Sequence, residues 1–169
     1  ILEKFPRAGV YNYYGQTELA PYHCILKAED AQAKIGSAGM AGLHMESRIE
    51  DGAGNEITSA DDPGEICGRG PHVMTMYFKE PDKTEAAMRG GWFHSGDLGV
   101  LDQDRYITVV DRIKDMIKTG GENVASREVE QAVYRLPQLS ERAVVGLHHP
   151  RWVEAVVAVV VLKAGQDLS

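Results

Sequence analysis

Four short groups of residues in this 169-residue chain carry side chains suited to a phosphorylated ligand. Tyr14-Gly15-Gln16-Thr17-Glu18 offers an aromatic face, a glycine that lets backbone approach a ligand, a hydroxyl and a carboxylate within one turn. Glu18 is the candidate metal ligand, since Mg2+ takes one or two carboxylates and completes its shell with water and phosphate oxygens. Ser95-Gly96-Asp97, directly after Gly91-Trp92-Phe93-His94, puts a carboxylate just past a glycine, and a carboxylate accepting two hydrogen bonds suits the paired hydroxyls of a ribose. In Asp111-Arg112-Ile113-Lys114-Asp115 an extended backbone would turn Arg112 and Lys114 toward a common space. Lys118-Thr119-Gly120-Gly121 then supplies a flexible loop that can pass close to a thin ligand, without the Walker spacing. Taken singly, the first three groups have plainer readings: a capped helix start, a turn aspartate satisfying backbone, a solvated charged strand.

The elements that must position these groups are legible in outline. Residues 10–14 read as a strand that hands over to the turn at Gly15. Residues 28–42 hold Gly36, Gly39 and Gly42 but neither the preceding strand nor the following apolar helix of a dinucleotide fingerprint, so they read as a turn-rich loop. Short apolar runs punctuated by Asp51-Gly52, Gly54-Asn55, Asp62-Pro63-Gly64 and Gly90-Gly91 predict β-hairpins forming a small barrel or sandwich over residues 43–110. One helix interrupts them, with Asp82 as its N-cap and Glu85 in capping-box position. A second helix is expected from an N-cap at Ser126, with Val129, Ala132, Val133 and Leu136 on one face and Pro137 ending it. Strands follow at 143–147 and 155–162, the latter apolar on both faces and so expected to be buried at the centre of a sheet.

Composition narrows the class. With 43% hydrophobic and 25% charged residues the chain is that of a globular protein, and a net charge of −7 without a basic cluster argues against nucleic acid as a partner. The longest apolar run is about eight residues, against the about twenty of a transmembrane helix. Cys24 and Cys67 have no close-spaced partner, which points to two buried small side chains and a reducing cytoplasm rather than a disulfide framework. His148 and His149, adjacent on a strand, would point apart and make a poor metal pair. The chain opens on Ile1 and closes on Ser169 without evident terminal signals, so a piece of a longer protein is expected.

In this order the motifs resemble those of the adenylate-forming enzymes, the superfamily of acyl-CoA synthetases, peptide-synthetase adenylation domains and luciferases. Tyr14 to Glu18 matches the aromatic-Gly-x-Thr-Glu motif, Gly64-Glu65-Ile66-Cys67-Gly68-Arg69-Gly70-Pro71 is similar to a Gly-Glu-Ile/Leu strand and its following loop, and Trp92 to Asp97 resembles the ribose motif. Arg112, Lys114, Gly121, Glu128 and Glu130 match the hinge and the start of the small domain, whereas Met76 and Val153 stand where glycine is commoner. The resemblance implies an α/β fold of the α+β kind. Residues 1–111 would end the large domain with its β-rich subdomain, and 112–169 would form the hinge and first half of the small C-terminal domain. It implies ATP, Mg2+ and coenzyme A acting on a small carboxylic acid, most similar to a fatty acid by the Gly-Gly-Glu-Asn-Val loop. An excised chain would lose its partner surfaces, so a homodimer is the expected association. Tyr14 would pack on adenine with Gly15 and Gln16 beside it, Thr17 would touch phosphate or acyl-adenylate oxygens, and Glu18 would hold Mg2+. Asp97 and Arg112 would bind the ribose and Lys114 would occupy the hinge. Gly120 and Gly121 would lie along the pantetheine tunnel, and Lys118 joins the cofactor-binding set. Thr17, Glu18 and Lys114 are thus the catalytic candidates. The family's phosphate loop would lie upstream and its adenylation Lys downstream, so the chain alone is expected to be inactive. A peptide-synthetase domain and a non-catalytic nucleotide-binding or interaction module on the same scaffold are the competing readings.

Overall fold

A computed structural model describes residues 4–167 and divides into two compact units, Ile1–Val109 and Val110–Ser169. In the first, turn-rich spacing has produced antiparallel strands: β1 (Asn12–Tyr14), β2 (Cys24–Leu26), β3 (Met40–Ala41), β4 (Glu46–Glu50), β5 (Glu56–Ile57), β6 (Gly64–Arg69), and, after helix α1 (Pro81–Ala87), β7 (Phe93–Leu101) and β8 (Ile107–Arg112), which runs across the division. They form two open sheets, ordered β1-β2-β3 and β5-β4-β6-β7-β8, joined by a bridge between Gly39 and Ile107. Cys24, Ala38, Ile49, Ile66, Leu101 and Ile107 come from both sheets into one buried cluster, with Tyr14, Ile57 and Val109 packed against it. That shared core is what the hairpin pattern encodes, since each strand contributes alternate residues to one side.

A second cluster, Leu19, Met45 and Phe93, receives Ala87 and Met88 at the end of α1. The helix starts two residues earlier than its capping pattern suggests. Glu80 is the N-cap without a side-chain bond, Pro81 fills the first helical position, and Asp82 sits inside the first turn. A proline is suited to that position because its missing N–H would have had no partner there, and Asp82 faces the positive end of the helix dipole instead of capping it.

The second unit contains β9 (Ile117–Thr119), β10 (Glu122–Val124), α2 (Ser126–Val133), β11 (Leu139–His149) and β12 (Val153–Leu162), in the sheet order β10-β9-β12-β11. Ala125, not Ser126, is the N-cap of α2. The capping acceptor comes from fifteen residues upstream: Asp111 Oδ2 takes the Ser126 hydroxyl at 2.9 Å and the Arg127 N–H at 3.2 Å. A distant carboxylate satisfies first-turn donors as well as a local one, and sequence spacing does not reveal it.

Two further expectations need correction. Strand alternation stops at Arg112, because Ile113–Asp115 is a 3-10 turn, so the argument that placed Arg112 and Lys114 on one side does not hold. β12 lies between β9 and β11 yet its ladder with β9 is the single pair Val153 and Thr119, and Val156, Val159 and Val161 are 36%, 57% and 51% exposed. Its double-sided apolarity marks two faces suited to cover, while the described residues cover little of either.

The departures from glycine behave differently. Met76 is exposed in an ordinary conformation, whereas Val153 adopts φ +71, in the left-handed region that a β-branched residue occupies only with strain. Val153→Gly is therefore expected to stabilise the second unit by about 1 kcal/mol, read as a higher urea midpoint. An unchanged or lower midpoint would show that the turn tolerates valine without penalty.

Candidate nucleotide site

The first unit builds its site around an irregularity in the sheet. β6 and β7 pair Glu65 with Leu98 and then Cys67 with His94, so Ser95, Gly96 and Asp97 together oppose Ile66 alone. This is a β-bulge, a device that re-aims a side chain out of the ladder and recurs beside active sites. Gly96 takes φ +73 within it, a conformation open to glycine. Side chains satisfy the backbone here: Gln16 Nε2 donates to the Ser95 carbonyl at 2.8 Å, Glu65 Oε1 accepts the Gly96 N–H at 3.0 Å, and Ser95 Oγ accepts the Asp97 N–H at 3.0 Å.

Asp97, buried at the bulge, receives two donors from the Tyr14 to Glu18 segment. The Tyr14 hydroxyl donates to Asp97 Oδ2 at 2.7 Å and Gln16 Nε2 at 3.1 Å, across 83 and 81 residues of sequence. The fold thus brings Tyr14, Gln16 and Asp97 into one constellation. Burial is the main reason the Tyr14 hydroxyl is pushed above the usual phenol range, with the neighbouring Asp97 carboxylate acting in the same direction. Its ring leans on His23 with centroids 5.9 Å apart. Gly15 has a local reason to be glycine as well, since a Cβ there would overlap the backbone of Pro21 to His23.

Thr17 and Glu18 begin the 3-10 turn Thr17–Leu19 that follows. Thr17 is exposed, and half-buried Glu18 accepts the Tyr77 hydroxyl on Oε1 at 2.8 Å while its carbonyl accepts the Met74 N–H at 2.7 Å. Burial first, then the Glu18 carboxylate, raises the Tyr77 phenol. A single half-buried carboxylate held by one hydroxyl fits the donor set of a Mg2+ ion whose other ligands are water and phosphate.

In the second unit Lys114 and Lys118 line one open cleft of about 460 Å3 together with His148, Val153 and Glu154. Arg112 is exposed at the end of β8, and its N–H donates to Asp111 Oδ1 at 2.8 Å. Gly120 and Gly121, at φ +60 and +92, form the two-residue turn between β9 and β10, the positive φ at both positions being that of a type I′ hairpin turn.

One cluster was not visible in the sequence. Arg48, Glu50, Glu65, Cys67 and His94 share a sheet face, with Cys67 Sγ 3.3 Å and Glu65 Oε2 2.9 Å from His94 Nδ1. Glu50, Cys67 and His94 are all buried with donor atoms within 4.8 Å of one another. Arg48 pairs with Glu50 and Arg89 with Glu65, so a dication would meet two guanidinium groups that already neutralise the carboxylates. Burial, then the two carboxylates, pushes the Cys67 thiol far up, and burial raises Cys24 to about 12, so both thiols are inert as nucleophiles near neutral pH. A carboxylate inside an otherwise apolar strand segment, Glu65 between Gly64 and the buried Ile66, Cys67 and Gly68, was the signal that could have found this cluster.

The chain is similar in sequence and fold to known proteins. The AMP-binding enzyme family matches residues 1–78, and the AMP-binding enzyme C-terminal domain family matches residues 128–169. A feruloyl-CoA synthase of Amycolatopsis sp is 43% identical over 92% of this chain and 32% of its own length. The o-succinylbenzoate CoA synthetase of Bacillus subtilis, solved in complex with its acyl-adenylate intermediate, superposes with a TM-score of 0.89 at 35% identity, over 99% of this chain and 34% of the other. The same enzyme in complex with ATP and magnesium ion gives 0.87 at 34% identity, with the same coverage. The chain belongs to the adenylate-forming, AMP-binding enzyme superfamily. It spans about a third of the length of the relatives it matches.

Proposed function

We propose that this chain supplies the ribose-binding and metal-facing side of the nucleotide site in an ATP-dependent, AMP-forming acid–CoA ligase. The parent reaction joins a carboxylic acid and ATP into an acyl-adenylate and pyrophosphate, then transfers the acyl group to CoA with release of AMP. The observation that carries this reading is Asp97, held at a bulge by the Tyr14 hydroxyl and Gln16 amide. A carboxylate fixed in this way can accept both hydroxyls of a ribose without reorganising when nucleotide arrives. Glu18 would hold Mg2+, which neutralises phosphate charge when bound, and Thr17 lies beside it at the start of the same turn. Arg112, Lys114, Lys118, Gly120 and Gly121 complete the proposed ribose, hinge and CoA contacts.

The acid class follows the relatives. Feruloyl and o-succinylbenzoate acids both carry an aromatic ring, so an aryl-bearing acid is the preferred substrate class and a fatty acid the competitor. A chain a third as long as these relatives is proposed to bind nucleotide without turnover. The cytoplasm is the proposed compartment, supported by two free, buried cysteines, and the described residues contain no helix long and apolar enough to cross a membrane. Self-association belongs to the same proposal, supported by the exposed valines of β12.

AMP titrated into the chain and followed by NMR is expected to shift residues around Asp97, with Asp97→Ala weakening binding about tenfold or more. Equal affinity in the variant would sink the ribose assignment. In the longer parent, pyrophosphate release is expected with aryl acids above fatty and amino acids; release with no acid would point to the non-catalytic module.

A further inference from the structure

The bulge that presents Asp97 lacks, on its β6 side, the backbone partner that a regular ladder would give to Gly96. Glu65 replaces that partner with a side chain. Its Oε1 accepts the Gly96 N–H at 3.0 Å, while Oε2 accepts Arg89 Nη2 at 2.7 Å and lies 2.9 Å from His94 Nδ1. Each contact fixes one edge of the bulge. His94 is the last residue in register before it, its Nε2 lies 3.2 Å from the Arg89 carbonyl, and Arg89 Nη1 donates to the Ala86 carbonyl at the end of α1. One carboxylate therefore links strand β6, the bulge, the residue preceding it and the helix terminus.

This arrangement also explains an apparent error in the sheet. Glu65 stands directly opposite Glu50, a like-charge pair that by itself weakens a ladder. Arg48 and Arg89 offset the charges, and the sheet retains Glu65 where a β-branched or aromatic residue would fit a strand better. A residue kept against local preference, with one oxygen on the bulge backbone and the other on residues that flank the bulge, is acting on the bulge.

We propose that Glu65 is a positioning residue for ribose recognition: it holds Ser95-Gly96-Asp97 in the single bulged conformation that brings Asp97 onto the Tyr14 hydroxyl and Gln16 amide. Glu65 touches no nucleotide itself. Without it Gly96, a residue with access to all of backbone space, is free to flatten or flip, and Asp97 loses its direction. This inference rests on the assignment of Asp97 to the ribose.

The test compares AMP with 2′,3′-dideoxy-AMP, which lacks both hydroxyls, in binding titrations of the 169-residue chain. Wild type is expected to prefer AMP about tenfold or more, since a charged acceptor loses its bonds with the analogue. Glu65→Ala is expected to bring that ratio close to one, whereas Glu65→Gln, whose amide oxygen still accepts the Gly96 N–H, restores it. A wild-type chain that fails to prefer AMP overturns the ribose assignment and this inference with it. Preference retained in Glu65→Ala overturns the inference alone, as does Glu65→Gln failing as badly as the alanine variant. Should Glu65→Ala fail to fold, hydrogen exchange in the wild-type chain decides: the Gly96 amide is expected to be protected, and exchange at the free-peptide rate overturns the proposal.

Discussion

Gly39→Ala is expected to remove about 4 kcal/mol or more of stability, a large part of the 5–15 kcal/mol typical of a small domain. Two penalties combine at this position. Gly39 has φ +94, and a Cβ built on it would overlap the backbone of Ile25 and Leu26, which cannot rotate away as a side-chain tip would. It also forms the bridge between the two sheets of the first unit. The Ile107 N–H donates to the Gly39 carbonyl at 2.9 Å, the Gly39 N–H donates to Ser37 Oγ at 2.9 Å, and Ser37 Oγ donates to the Ile107 carbonyl at 2.7 Å. Gly36 provides the internal comparison, because it has φ +92 with nothing within 4 Å of an added Cβ. Gly36→Ala should therefore lose only the backbone term, about 1 kcal/mol. Urea unfolding of both variants gives the measurement, and equal losses would show that overlap at the sheet junction is relieved at no penalty.

Acid should unfold the first unit through His23 well before its carboxylates titrate fully. His23 is completely buried, with Nε2 2.6 Å from Ser47 Oγ and its ring beside Tyr14. Burial holds its pKa down to about 4, from 6.5, with the nearby His72 adding to the effect. The folded chain keeps this imidazole neutral while the unfolded chain protonates it, so between those values the unfolded state binds more protons. The contribution is complete above pH 6.5 and is lost as pH falls through about 4, a difference of about 3 kcal/mol. Melting temperature should therefore fall steeply across that window in wild type and more gently in His23→Phe. Parallel curves for the two proteins would remove His23 as the cause. The Glu46 and Asp51 carboxylates, which Arg69 and Asn55 respectively hold below their usual range, add their losses at lower pH.

Much of this site could be read from the chain itself because its motifs are local strings whose residue types limit the chemistry. Tyr14 to Glu18 and Ser95 to Asp97 each announce themselves within a turn, and their ordered occurrence with the later basic and glycine groups pointed to the right superfamily. The hairpins were read from apolar alternation and turn residues, and the α+β fold class that the resemblance implied is the one observed. What stayed hidden depends on contacts across long stretches of sequence. Asp111 caps a helix fifteen residues away, and Glu65 reaches a bulge 31 residues on. Local rules misled where a nearer residue looked adequate, as Asp82 and Ser126 did for their helices. They also failed where regularity broke, at the 3-10 turn after Arg112, and where burial was inferred from apolarity alone, along β12.

The bulge has one more consequence, and it concerns phase. While β6 advances by two residues, from Glu65 to Cys67, β7 covers four, from Leu98 back to His94. The excess is even, so the side chains beyond it return to the faces they would have occupied in an uninterrupted strand. Gly99 and Leu101 consequently still turn toward Ile66 and the core, as Phe93 does before the interruption. An insertion of one residue would have exchanged inside for outside along the rest of β7. An insertion of two lets a polar loop be written into the middle of a core strand while the hydrophobic pattern on either side stays readable as a single sentence.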